Sequence, residues 1–263
     1  MKSKLSTHLK SSRYFPVFFG IAIAIISQHV RGDEVIRLCE HKFTQEGRLP
    51  SHPISSFHIN RPGYSIAYDA QHRNPSWVYE HLTSESLKGS VDRSNFIFKE
   101  DEAIPEHLRA ALTDYRGSGY DRGHMVPAGD NHCSPEAMGD TFFLTNICPQ
   151  CLAFNRGYWN KLEKHVRDLT KEYQNVYVIT GPLYLPTIEE NGKRYVKYEV
   201  IGLNDVAVPT HFFKVIILEN WQGDKETKAY ILPNEAIEDK TPVAIFETTV
   251  QKVEKAAGLI FTN

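Results

Sequence analysis

The chain has 263 residues, 41% of them hydrophobic and 11% aromatic, enough to fill the core of one domain. No internal repeat or low-complexity tract interrupts it. The formal charge is −2, and residues 33–263 carry 25 basic against 32 acidic residues, a net −7, which argues against tight, salt-driven binding of nucleic acid over the whole surface. A local basic cleft around Arg116, Arg122, Arg156 and Lys161 stays compatible with that balance.

Residues 1–32 read as a targeting segment outside the fold. They hold Lys2, Lys4, Lys10, Arg13 and Arg31 with no acid, then an apolar run from Tyr14 to Ile26 broken by Pro16 and Gly20. That run is short for a bilayer span, which needs about 20 residues. The pattern fits a secretory signal peptide and a mitochondrial presequence with a sorting segment about equally. Residues 33–62 read as a polar connector rich in Pro and His. His41, His52, His58 and His72 fit no metal-ligand spacing and read as solvated loop.

The remaining domain, residues 63–263, alternates strand and helix signals. Strands are expected at Tyr64–Tyr68 and Trp77–Leu82, with a turn at Asn74-Pro75. Pro105–Leu112 reads as a short helix opened by its proline. Asp121-Arg122-Gly123-His124 should form one strand, with a second near Phe142–Ile147. A helix should follow from Asn155 to Tyr173, because Trp159, Leu162, Val166, Leu169 and Tyr173 recur at intervals of 3 and 4. Trp159 reads as its core anchor. Further strands are expected at Asn175–Thr180, Tyr195–Ile201, Phe212–Leu218 and Ala229–Leu232, and a last helix at Val250–Ala257 stopped by Gly258. The class is α+β, with a largely antiparallel sheet flanked by helices.

Four cysteines are present, Cys39, Cys133, Cys148 and Cys151. The last two have the CxxC spacing of zinc and redox sites, but a second pair at that spacing is lacking. Buried thiols are expected, with a Cys148–Cys151 disulfide left open for an oxidising compartment.

The chemistry concentrates in DRGH and in the NRGYWNKLE that begins at Asn155. A neutral histidine near its ordinary pKa of about 6.5 can take a proton from water, and His124 is that candidate. Arg122 lies two residues away, on the same strand face, and its planar guanidinium can fork onto phosphate oxygens. Gly123 leaves the backbone open to a ligand. Asn155, at the head of the helix, offers an amide oxygen, and Glu163 can lean back toward it. Taken singly, each residue has an ordinary reading: a surface histidine, a solvated arginine, a helix-capping asparagine.

Together with Tyr115–Gly119, Thr145–Gln150, Trp77–Leu82, Asn175–Pro182 and Val206–His211, these motifs make the chain resemble the DNA/RNA non-specific endonucleases of the ββα-metal type, in particular their mitochondrial endonuclease G branch. The resemblance runs from about Tyr64 to Phe261. It implies that His124 is the general base, that Arg122 contacts the phosphate, and that Asn155 is the sole direct protein ligand of a Mg²⁺, with Mn²⁺ able to substitute. It implies supporting roles for Asn146 and Glu163, the latter bonding to water on the metal, and a positioning role for Asp121. Arg116 and Arg156 are then further nucleic-acid contacts. The implied substrates are DNA and RNA, cut with little sequence preference to 5′-phosphate products. The resemblance also implies a homodimer in the mitochondrial intermembrane space, the alternative being secretion, with membrane contact only through a retained N-terminal segment.

The chain departs from the branch's usual pattern at Gly157 and Arg156. His124–Gly129 and Pro233–Ile237 look closer to a related mitochondrial exo/endonuclease branch, so the balance of endo- against exonuclease action stays open. A second reading, a catalytically weak nucleic-acid-binding relative, requires that Gly157 or the acidic surface has spoiled the site.

Overall fold

The computed structural model describes residues 56–261. The targeting segment, most of the connector, and with them Cys39, His41 and His52, lie outside the described residues. Among the described residues thirteen strands follow one another: β1 Phe57–Arg61, β2 Tyr64–Asp69, β3 Asn74–Leu82, β4 Asp121–His124, β5 Ile147–Gln150, β6 Asn175–Leu183, β7 Thr187–Ile188, β8 Arg194–Tyr195, β9 Val200–Ile201, β10 Val206–Ala207, β11 His211–Glu219, β12 Lys225–Pro233 and β13 Glu247–Thr248. Four α-helices accompany them among the described residues: α1 Leu112–Tyr115, α2 Pro135–Asp140, α3 Asn160–Leu169 and α4 Val250–Ala257. Seven strands form one antiparallel sheet in the order β1-β2-β3-β6-β11-β12-β13. The α+β class expected from the sequence is the class observed.

Alternation along β6 and β11 explains how this sheet is buried on both faces. Val178, Phe212, Ile216 and Leu218 point into one core, while Ile179, Phe213 and Val215 point into another. The first core is covered by Trp159, Leu162, Val166 and Leu169, the apolar stripe read from the sequence, with Tyr173 packed at its margin. The second receives Val253 of α4. Each buried aliphatic side chain of this kind stabilises the fold by about 1.5–3 kcal/mol. Trp159 is 1% exposed and packs against Phe154 and Phe212, the anchor its spacing announced.

Several expectations move. Asn74-Pro75 is not a turn but the start of β3, paired with Asp69 and Tyr68; the turn precedes it and closes with Arg73 at φ 55°. The Pro105–Leu112 helix is a single 3₁₀ turn, Glu106–Leu108, and α1 begins where it was expected to end. Tyr195–Ile201 is not one strand: its ends belong to separate two-stranded ribbons, β7–β8 and β9–β10. The connector contains β1, so His58 is a strand residue beside Trp77 rather than a loop residue. His72 is likewise engaged, with Asp69 at 2.6 Å and stacked on Tyr184. Helix α4 ends as expected, with Gly258 left-handed at φ 69°. Among the described residues, no helix is long and apolar enough to cross a membrane.

Candidate active site

Strands β4 and β5 form a two-stranded ribbon that pairs Asp121 with Gln150, Gly123 with Cys148 and His124 with Ile147. The second strand thus starts at Ile147; Leu144–Asn146, expected to be part of it, is a 3₁₀ turn. Gly123 is needed for Gln150, not for a ligand. A Cβ at this position would lie 2.0 Å from Gln150 Oε1 and 2.4 Å from its Cγ. Asn146 is fully buried and bonds backbone on both sides of the site. Its Oδ1 accepts from Val126 N at 2.9 Å, and its Nδ2 donates to Val126 O and Thr141 O. It fixes the chain just after His124 and does not line the cavity, so its role is to hold backbone rather than to meet substrate.

After β5 the chain enters the helix through a π turn, Phe154–Trp159, before α3 begins. Asn234 secures this entry: its Oδ1 accepts from Cys151 N and its Nδ2 donates to Pro149 O and Pro209 O. The π turn sets what faces the cavity. In an α-helix, at about 100° per residue, Asn155 and Asn160 would project about 140° apart. The wider i→i+5 turn instead brings them to one side, and Asn155, Asn160, Glu163 and Arg167 all line the same cavity. Trp159 is thereby left free to enter the core.

The cavity holds about 520 Å³ and is bounded on its other sides by Asp121, Arg122, His124, Arg93 and Phe98. Arg122 lies over the Phe98 ring, 4.5 Å from its centroid, and the His124 ring is 5.2 Å from the same phenyl. The two side chains therefore share a face, as their spacing on a strand requires. His124 is 8% exposed and touches Phe142 edge-on; its buried Nε2 has no partner among the described residues. Burial, then the charge of Arg93, pushes its pKa down to about 3, well below the ordinary value assumed from sequence. The ring is consequently neutral at physiological pH.

Asp121 organises the opposite wall. It takes two 2.7 Å hydrogen bonds from Arg156 and one of 3.0 Å from Asn155 Nδ2. Burial raises its carboxyl, but the Arg156 and Asn155 bonds and the charges of Arg156 and Arg122 outweigh this and hold it below the usual range. Asn155 is thereby oriented with its amide nitrogen on Asp121, which leaves its oxygen for another partner. Glu163 is pushed up to about 7, chiefly by burial and against the pull of Lys214.

Arg156 is 67% exposed and already paired with Asp121, so it is less free for phosphate than its sequence position implied. Arg116 is exposed and lies off the cavity, as does Lys161, which bonds to Asp239. Their places are taken by Arg93 and Arg167, which sequence reasoning missed. Arg167 was legible as the residue one turn beyond Glu163 on the same helical face; Arg93 sits in a 3₁₀ turn with no periodic signal. Gly157 does not line the cavity, and open space surrounds its missing Cβ, which removes the reason to regard it as damaging. Cys148 is buried as expected, Cys133 is exposed, and Cys148 and Cys151 are free thiols.

Comparisons with known proteins identify the family. The family model described as DNA/RNA non-specific endonuclease matches residues 49–263. The chain is 48% identical over 202 residues to Endonuclease G, mitochondrial, of Homo sapiens, covering 77% of this chain and 68% of that protein. It is 49% identical over 206 residues to Nuclease C1 of Cunninghamella echinulata var. echinulata, covering 77% and 81%. A solved structure, titled as the EndoG/EndoGI complex and the mechanism of EndoG inhibition, matches with a TM-score of 0.77 and 49% identity, covering 80% of this chain and 87% of that one. With its sheet, its DRGH ribbon and its arginine-walled cavity, the chain belongs to the DNA/RNA non-specific endonuclease family and is a nucleic-acid hydrolase.

Proposed function

We propose that the protein cuts DNA and RNA internally, in a Mg²⁺-dependent reaction that leaves 5′-phosphate ends, with His124 as the general base. The observation that carries this reading is a neutral His124 that lines a cavity walled by four arginines and whose buried Nε2 has no partner among the described residues. A general base needs a free lone pair within reach of its proton source, and the arginines supply the positive charge that a phosphodiester requires. That local charge offsets an acidic body. Because these groups address phosphate rather than base edges, little sequence preference is expected.

The residues present fit a metal of limited protein ligation. Among the described residues no group of three or more His, Cys, Asp or Glu is placed to hold an ion. The Asn155 oxygen is left unused by the Asp121 contact. Mg²⁺ keeps much of its hydration and accepts few protein oxygens, so Asn155 would hold it, with Glu163 nearby on the same wall and Mn²⁺ as a substitute. A divalent ion there supplies Lewis-acid charge to the phosphate. Arg122 and Arg167 bind and orient the anion, Asp121 orients Asn155, and Phe98 and Phe142 pack against the His124 ring and hold its orientation.

By likeness to relatives named as mitochondrial, the proposed location is the mitochondrial intermembrane space, and the proposed assembly is a homodimer. Fractionating cells that express a C-terminally tagged full chain tests the location against secretion. Digestion of supercoiled plasmid and RNA with Mg²⁺ or EDTA, beside His124→Ala and Asn155→Ala, tests the chemistry. Cleavage of both substrates, abolished by EDTA and reduced at least about 10²-fold in each variant, is the expected result. Cleavage that survives His124→Ala overturns the assignment of the base, and binding without cleavage by wild type overturns the enzyme reading.

A further inference from the structure

Charged side chains are buried where the sheet meets α3. Lys214 on β11 shares a face with Phe212 and Ile216, and Glu80 on β3 shares one with Val78 and Leu82, both inside the same core. Both are almost fully buried, as is Asp130, which follows the DRGH ribbon. Glu163 and Arg167 approach from α3. Lone charges in such a place cost several kcal/mol each, so the set must balance itself.

Its contacts show how. Lys214 Nζ donates to Thr180 Oγ1 at 2.7 Å and sits 4.9 Å from the centre of the Trp159 ring. Arg167 Nη1 donates to Asp130 Oδ1 at 2.5 Å. Glu80 lies against the Asp130 carboxyl, and its Oε2 has no partner. Glu80, Asp130 and Glu163 share this region with Lys214, Arg167 and, beside Glu163, Arg93. A proton on Glu80 would let it donate to Asp130. Burial, with Asp130 next, pushes the Glu80 carboxyl well above the usual range, in keeping with that arrangement. The neighbouring Gly129 is shaped to Arg167 as well: a Cβ there would lie 3.2 Å from its Nη1.

We propose that Asp130, buttressed by the Glu80 carboxyl, is a positioning residue that holds the Arg167 guanidinium at the wall of the catalytic cavity. This rests on the nuclease reading of that cavity. Asp130 itself touches no substrate; it acts through Arg167, which would otherwise be free to swing toward solvent.

The test is steady-state cleavage of plasmid DNA with Mg²⁺ by the full-length chain and by Asp130→Asn, Arg167→Ala, the double variant and Glu80→Gln. Asp130→Asn is expected to lose at least about tenfold in kcat/KM and to divide the loss between kcat and KM as Arg167→Ala does. The double variant should be no worse than Arg167→Ala. Glu80→Gln, whose amide N–H replaces the O–H, should stay within about threefold of wild type. A merely structural role lowers the active fraction, hence kcat alone, and multiplies with Arg167→Ala; that outcome, or wild-type kinetics in Asp130→Asn, overturns the proposal. Should Asp130→Asn not fold, Asp130→Glu keeps the charge and moves it by one methylene. It is then expected to show the Arg167→Ala split, and unchanged kinetics overturn the idea. Failure of the nuclease reading is separately visible, because wild type itself would then not cut.

Discussion

His124 should make the stability of this protein sensitive to acid in a way that one substitution exposes. The unfolded chain protonates the ring near 6.5, whereas burial and Arg93 keep it neutral in the fold down to about 3. A folded pKa that is depressed contributes stability that is present above about pH 6.5 and is lost as pH falls toward 3. The limit of that loss is about 5 kcal/mol, at about 1.4 kcal/mol per pH unit, against a typical total of about 5–15 kcal/mol. Glu163 works in the opposite direction. Its pKa is raised to about 7, so its contribution is present at low pH and fades as pH rises through 7. The wild-type curve alone therefore partly conceals the histidine. The difference between wild type and His124→Gln isolates it. In urea unfolding from about pH 6.5 to about pH 4.5, the advantage of wild type over His124→Gln should shrink by about 2–3 kcal/mol at constant m. A gap that stays level within about 0.5 kcal/mol would refute a buried, neutral His124.

Two further substitutions probe the ribbon and its neighbour. Gly123→Ala puts a methyl on the buried Gln150 side chain and should cost about 1–3 kcal/mol in thermal unfolding, part of it recovered in Gly123→Ala/Gln150→Ala; an unchanged Tm would mean that the ribbon yields. Asp121→Ala releases both Asn155 and Arg156. Plasmid cleavage should fall at least about tenfold, while stability changes by about 1 kcal/mol or less because the Arg156 end of the pair is exposed. Arg156→Ala should be milder than Asp121→Ala, and the reverse order would place phosphate binding on Arg156.

Much of the fold was legible because its signals are local. The 3-and-4 spacing from Trp159 to Leu169 identified the covering helix, and Gly258 marked the end of α4. What escaped was set by long-range pairing. Asn74-Pro75 reads as a turn in isolation, yet pairing with β2 draws it into a strand. The ribbons around Tyr195 and Val200 are too short for any periodicity to build up. At the site, DRGH and Asn155 could be read because motif and chemistry coincide. Arg93 could not, since only folding brings its turn beside His124, and neither could the displacement of the His124 pKa, which depends on Phe98 and Phe142 from distant parts of the chain.

The π turn at Phe154–Trp159 has a consequence for how this protein can vary. Such a turn carries one residue more than the α-helix it interrupts. Deleting a single residue there, even the unencumbered Gly157, would let the segment relax to regular α-helix. Asn155 would then be turned by about 100° relative to Glu163 and Arg167, with every side chain still present and Trp159 still in its core. Substitutions in this stretch are local injuries, whereas a shortened copy would be a well-folded protein with the Asn155 amide facing elsewhere. Chain length between Cys151 and Asn160, as much as residue identity, is what this enzyme has to preserve.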